Sequence, residues 1–208
     1  MKKNALTLFC FFALFFTFYA QGNDSLDDYL DMAAVFKESF EYDKAESVLE
    51  KAILDNGEPK ARSFLARIKF LNAEPEKALR LFKSVKNKSW LDYFYLGLIY
   101  EDLGNNKSAI LNYKKSLDHK TSSITFFRLG RINLKNKDYN KAAKYFRDTI
   151  KLDPSFRIAY YYLGLSLCEV DNFKQAYRYL SKAINFYPKN KKVLRSLNLV
   201  KADIELSH

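Results

Sequence analysis

Histidine is almost absent from this chain. His119 and His208 are the only two in 208 residues, and neither has cysteine, histidine or carboxylate neighbours at metal-ligand spacing. No metal site and no cofactor are expected. Cysteine is equally scarce: Cys10 lies in the N-terminal apolar run and Cys168 stands alone in the rest of the chain. Once the N-terminal segment is gone, no intramolecular disulfide can form. Six glycines and four prolines are few, as in a mostly helical protein with short turns. The chain has no phosphate-binding glycine-rich loop and no nucleophile elbow. These absences argue against an enzyme and against a small-molecule substrate.

Hydrophobic residues make up 48% of the chain and aromatics 16%, enough to bury a core and to exclude a disordered chain. The formal net charge is +11. Removing Lys2 and Lys3 leaves 33 of the 35 basic residues against 24 acidic ones, a net +9. Such an excess either solvates a lysine-rich surface or favours acidic partners: anionic lipid, acidic peptides or nucleic acid.

The chain opens Met1-Lys2-Lys3-Asn4, followed by the uncharged, aromatic-rich run Ala5 to Ala20. This is the n-region and h-region pattern of a secretory signal peptide over residues 1–22. Ala20-Gln21-Gly22 puts small residues at the two required places for a cut before Asn23. The alternative is an uncleaved signal anchor, although the run is shorter than the ~20 residues that span a bilayer comfortably. Leu8-Phe9 before Cys10 is not a convincing lipobox, so lipidation is not expected. An export segment without a disulfide framework points to a bacterial envelope, periplasmic or membrane-associated. Export also argues against nucleic acid as the partner.

Beyond residue 22 the chain repeats itself. Leu-Gly recurs at Leu96-Gly97, Leu129-Gly130 and Leu163-Gly164, with glycines 33 and 34 residues apart. Ala109, Ala142 and Ala176 echo them one helix later. Leu163, Leu167 and Val170 share one helical face, and Ala176, Leu180 and Ala183 another. Gly104-Asn105-Asn106, Asn136-Lys137-Asp138 and Asp171-Asn172 interrupt the helical pattern between such faces. A glycine inside a helix costs ~0.5–1 kcal/mol relative to alanine, so its recurrence predicts a close approach of paired helices. Asp153-Pro154 and Tyr187-Pro188 stop one unit before the next begins.

Period and residue types together resemble the tetratricopeptide repeat family. The clearest copy runs Tyr160, Leu163, Gly164, Leu167, Ala176, Leu180, Ala183, Pro188. The copy before it has Phe126, Leu129, Gly130, Ala142, Phe146 and Pro154, with Asn133 and Thr149 where an aromatic and a small residue are usual. Tyr93, Leu96, Gly97, Tyr100, Ala109, Tyr113 and Ser116 form a third, without the closing proline. Tyr29, Met32, Ala33, Phe36, Ala45, Leu49 and Ala52 form the first. The second keeps Leu65, Ala66, Ala78 and Phe82, is short by two or three residues, and has Arg62 and Lys69 where aromatics are usual.

The resemblance implies an all-α, right-handed superhelix of about five helix-turn-helix units, near 26–58, 59–89, 90–122, 123–156 and 157–190. After Asn190 the pattern does not restart. Val193, Leu197, Val200 and Ile204 predict one amphipathic helix within 191–208 that caps the stack, with Lys192, Arg195, Lys201 and Glu205 outward.

The same resemblance implies a concave groove, lined by the first helix of each unit, that holds an extended peptide or a partner helix. By position, Arg67, Phe94, Tyr95, Phe127, Arg128, Arg131, Tyr161, Tyr162 and Leu165 are its candidate binding residues. Phe94 and Phe127 either face the groove or pack between adjacent units. Arg128 and Arg131, one turn apart, can clamp a carboxylate. Leu30, Ala34, Phe94 and Leu98 occupy places where the family's clamp for a C-terminal carboxylate uses Lys and Asn, so that specificity is not expected.

Cys168 reads as a small buried hydrophobe rather than a reactive thiol. Asp27, Asp28 and Asp31 suit a helix N-terminus without any chemistry. The leading expectation is a non-catalytic adaptor with a protein or peptide partner, one that carries acidic groups. An anionic membrane surface is the alternative partner. The second reading is a structural subunit of an envelope assembly complex, docking through outer faces that carry Lys114, Lys115, Lys144 and Lys174.

Overall fold

The computed structural model describes residues 25–56 and 59–206. The expected export segment at 1–22 and His208 lie outside them. Among the described residues there are eleven helices and no strand. The chain divides into two compact units, one ending at Asn87 and the other beginning at Lys88. The division follows the short second copy of the repeat.

The N-terminal unit holds two helical hairpins: α1 (Leu26–Glu38) with α2 (Tyr42–Asn56), and α3 (Pro59–Leu71) with α4 (Pro75–Ser84). Tyr29, Ala33, Ala45, Leu49, Leu65 and Ile68 are among its core residues. The C-terminal unit holds three hairpins: α5 (Trp90–Asp102) with α6 (Asn106–His119), α7 (Ser123–Lys135) with α8 (Tyr139–Leu152), and α9 (Arg157–Cys168) with α10 (Phe173–Phe186). A last helix, α11 (Lys191–Leu206), packs on α10 and α9 and buries Val193 and Val200. Lys192, Arg195, Lys201 and Glu205 are exposed, as a cap requires.

Local chemistry sets the helix ends. Ser25 and Ser89 start α1 and α5 with reciprocal capping boxes to Asp28 and Asp92. The carboxylate of Asp28 accepts from the backbone N–H of Ser25, which explains the acids at this helix start. Asn105, Asp138 and Asn172 cap α6, α8 and α10 by accepting from the backbone N–H three residues on. Just before each second helix, one residue adopts left-handed backbone: Phe40, Ala73, Gly104, Lys137 and Asp171, with φ between 56° and 74°. Only one of the five is glycine. The other four accept a strain of roughly 1–2 kcal/mol each, so the turn geometry is imposed by the packing of the hairpin.

That packing centres on the recurring glycines. A Cβ on Gly130 would lie 2.6 Å from the Phe146 ring, and one on Gly164 would lie 2.6 Å from Leu180. A Cβ on Gly97 would overlap the Tyr113 ring still more closely. In each case the large residue comes sixteen positions later. Ala33 and Leu49 repeat the relation in the first hairpin, and Ala66 and Phe82 in the second, all four fully buried.

The polar departures from the repeat pattern find partners, on the same helix or in the neighbouring hairpin. Asn133 donates to the carbonyl of Leu129, and Thr149 to that of Tyr145, so each polar group closes on its own helix. Lys69, which replaces an aromatic, pairs with Glu46 at 2.5 Å and with Glu74 at 3.5 Å; the side chains of Lys69 and Glu46 are only 14% and 12% exposed. Burial works against the Lys69 charge, but Glu46 and Glu74 overcome it and hold the ammonium above its ordinary value.

Gly130→Ala should lower stability by about 1–3 kcal/mol through overpacking, despite alanine's better helix propensity. Gly104→Ala should cost about 1 kcal/mol from backbone strain alone, since its Cβ would meet nothing within 4 Å. Pairing Gly130→Ala with Phe146→Leu should restore part of the loss. Urea unfolding followed by circular dichroism measures all three, and an unchanged midpoint for Gly130→Ala would contradict the packing described.

Candidate groove of the C-terminal unit

The helices α5, α7 and α9 bring together eight of the nine candidate residues. Arg67 belongs to α3 of the N-terminal unit. There its Nε donates to the Ser63 carbonyl at 3.2 Å, and its guanidinium lies 5.0 Å from the centre of the Phe64 ring.

Phe127 is a core residue. It is 8% exposed, with its ring centroid 4.9 Å from Phe156 and 5.6 Å from both Phe146 and Tyr162. Its place as a contact residue is corrected: packing between successive hairpins takes up its surface. Phe94 is half-buried, edge-on to Tyr95 and 5.7 Å from Tyr113. Tyr95, Tyr161, Tyr162 and Leu165 are also half-buried. Tyr162 stacks on Phe146 at 5.5 Å and meets Tyr161 edge-on. The tyrosines thus rest against the core and keep part of their surface accessible.

The polar part of this face is a chain of three groups. Tyr113 is buried by its contact with Gly97, and its hydroxyl donates to Glu101 at 2.8 Å. Burial, reinforced by the Glu101 charge, pushes that hydroxyl far above the ordinary tyrosine range. The other carboxylate oxygen of Glu101 lies 3.7 Å from Arg128 Nη1, an ion-pair distance too long for a hydrogen bond. Arg128 is 30% exposed at its side chain, and its buried Nε has no hydrogen-bond partner among the described residues. Arg131, one turn further along α7, is exposed. The two arginines are therefore not equivalent: one is loosely tethered to an internal acid and the other faces solvent. The tether of Arg128 to Glu101 was not legible in the sequence, because nothing in the repeat pattern links positions 101 and 128.

Cys168 is half-buried near the end of α9. Burial, aided by Glu169 and Asp203, pushes its thiol up to about 11. His119 stacks on Tyr93 at 5.4 Å. Among the described residues no group of three or more His, Cys, Asp or Glu side chains is arranged to hold a metal ion. No described helix is long and apolar enough to cross a membrane.

Stacked helical hairpins of about 33 residues, closed by small-against-large contacts, define a helical-repeat protein. Family models of the tetratricopeptide repeat match residues 93–118, 124–156 and 158–190, and the chain belongs to that family. It is 29% identical over 107 residues to human tetratricopeptide repeat protein 6, covering 51% of this chain and 21% of that protein. The chain thus spans about a fifth of the length of that relative. Similar solved structures include PilF of Pseudomonas aeruginosa (TM-score 0.75, 17% identity, 86% of each chain). PilW, described as a widely conserved type IV pilus biogenesis factor, is another (0.71, 18%, 88% of this chain and 91% of that one). A third is YrrB, described as a TPR protein with an unusual peptide-binding site (0.70, 18%, 88% and 96%). At these identities the likeness is one of fold.

In a Cys10→Ser background, Cys168 should react with iodoacetamide at pH 8 on the order of a hundredfold more slowly than a free thiol, given its small thiolate fraction. Mass-spectrometric alkylation kinetics measure this. Modification at the rate of glutathione would show that the thiol is neither buried nor shifted.

Proposed function

We propose that this chain is a non-catalytic adaptor of the bacterial cell envelope. It binds an extended peptide or a partner helix carrying acidic groups, on the face formed by α5, α7 and α9. The observation that carries the reading is the unequal arginine pair among partly exposed aromatic side chains. Arg131 offers an exposed guanidinium without an ion pair among the described residues, and Arg128 can exchange its long contact with Glu101 for a closer carboxylate on the ligand. Tyr95, Tyr161, Tyr162 and Leu165 supply apolar contact area beside it, and Arg and Tyr are the residue types that dominate interface energies. The family is generally one of non-catalytic interaction modules, and YrrB, of the same fold, is described by its peptide-binding site.

The hairpins α1–α2 and α3–α4 are two further repeats of the same family, making five in residues 23–190, with α11 as the cap. Residues 1–22 direct export, either cut before Asn23 or kept as an anchor. The type IV pilus role stated for PilW supports an envelope setting.

A pull-down from native extract tests the groove. Arg131→Glu should weaken capture of the partner on the order of thirtyfold, and adding Arg128→Glu should abolish it. Capture unchanged by both substitutions would sink the reading, provided circular dichroism shows the variant folded.

A further inference from the structure

The basic excess is not spread along the chain. From Asn23 to Asn87 there are 11 basic and 13 acidic residues; from Lys88 to His208 there are 22 and 11. Beyond residue 22 the N-terminal unit is therefore slightly acidic, and the net positive charge lies in the C-terminal unit.

Within the C-terminal unit the charge gathers on the second helices. Ala109, Ala142 and Ala176 are buried at equivalent places of α6, α8 and α10 and set a common register. In that register the outward stripe reads Lys107, Leu111, Lys114 and Asp118 on α6, then Asn140, Lys144, Arg147 and Lys151 on α8. It continues with Lys174, Arg178, Ser181 and Asn185 on α10. Seven of the twelve are cations, one is an acid, and all seven cations are exposed. None of the seven makes an ion pair with a described residue. The same register in the N-terminal unit places Asp43 and Glu50 on α2, and Glu76 beside Arg80 and Lys83 on α4.

We infer that the outer face of α6, α8 and α10 docks on the anionic surface of a phospholipid bilayer. Two features select a bilayer over an acidic protein. The cations cover three helices rather than converging on one point, which suits an extended field of charge. Large apolar side chains lie exposed among them: Leu111 on the stripe, Leu152 beside Lys151 and Tyr177 beside Arg178. Cations mixed with exposed apolar groups are the make-up of membrane-surface segments. The inference does not depend on the groove, which lies on the first helices.

The test is co-sedimentation of the full chain with vesicles of phosphatidylcholine, with or without about a third phosphatidylglycerol. The wild type should partition to the anionic vesicles at least tenfold better in about 0.1 M salt, and the advantage should vanish near 0.5 M. Lys144→Glu/Arg147→Glu/Arg178→Glu should remove the advantage, at about fivefold or more per cation, while Arg131→Glu keeps it. The N-terminal run, with Lys2 and Lys3, is common to all variants, so the difference between wild type and triple variant reports the outer face alone. Equal partition of the wild type to both vesicles would overturn the inference even if the triple variant failed to fold. Retention of the advantage by the folded triple variant would also overturn it, as would salt-sensitive binding to polyglutamate with no preference for anionic vesicles.

Discussion

The distance between the paired helices of each hairpin depends on one contact: a residue with little or no side chain on the first helix, against a large one sixteen positions later on the second. Gly97 and Tyr113, Gly130 and Phe146, and Gly164 and Leu180 are in direct apposition, with no room for another carbon. Much of what distinguishes the candidate groove follows from which large residue is used. Tyr113 carries its hydroxyl into the interior, and a buried hydroxyl needs a partner. Glu101 supplies it, and its second oxygen then holds Arg128. The equivalent of Glu101 is Leu134 in the next hairpin and Cys168 in the last, where Phe146 and Leu180 bring no polar atom inside. An acid is present where the packing residue is a tyrosine and absent where it is not. The electrostatics of the arginine pair are thus a downstream result of hairpin packing.

The repeat could be read from sequence because this contact leaves a sparse, periodic trace. Few residue types fit against a buried ring, so glycine or alanine recurs at a fixed interval. Helix starts were legible for a similar reason, since Asn105, Asp138 and Asn172 both interrupt one helix and cap the next. The short second copy was legible as missing residues, and the loss falls on α4, which has 10 residues where α6, α8 and α10 each have 14.

The candidate site was legible only in outline. Position in the repeat tells which helix face a residue occupies, but not what its neighbour from another repeat does with it. Phe127 and Tyr162 both read as groove aromatics; Phe127 fills the seam between hairpins, and Tyr162 lies over that seam. Lys69 read as a misfit because its partner Glu46 lies 23 residues away in another hairpin, outside any local period. Pairings of this kind depend on side-chain reach across the stack, and one sequence does not encode them as a pattern.

The outer positions of the second helices show the reverse situation. Packing fixes the alanines at 109, 142 and 176 and the large residues at 113, 146 and 180, and leaves the outward stripe open to any soluble residue. Exposed charges there add little to stability, and a row of like charges opposes folding through self-repulsion. The fold is indifferent to their sign, yet the same register holds Asp43, Glu50 and Glu76 with Arg80 and Lys83 in the N-terminal unit, and almost only cations in the C-terminal unit. A lysine-rich surface serving solubility alone would need no such division, because either sign keeps a helix face in water. The segregation is what docking of this one face on an anionic surface would require.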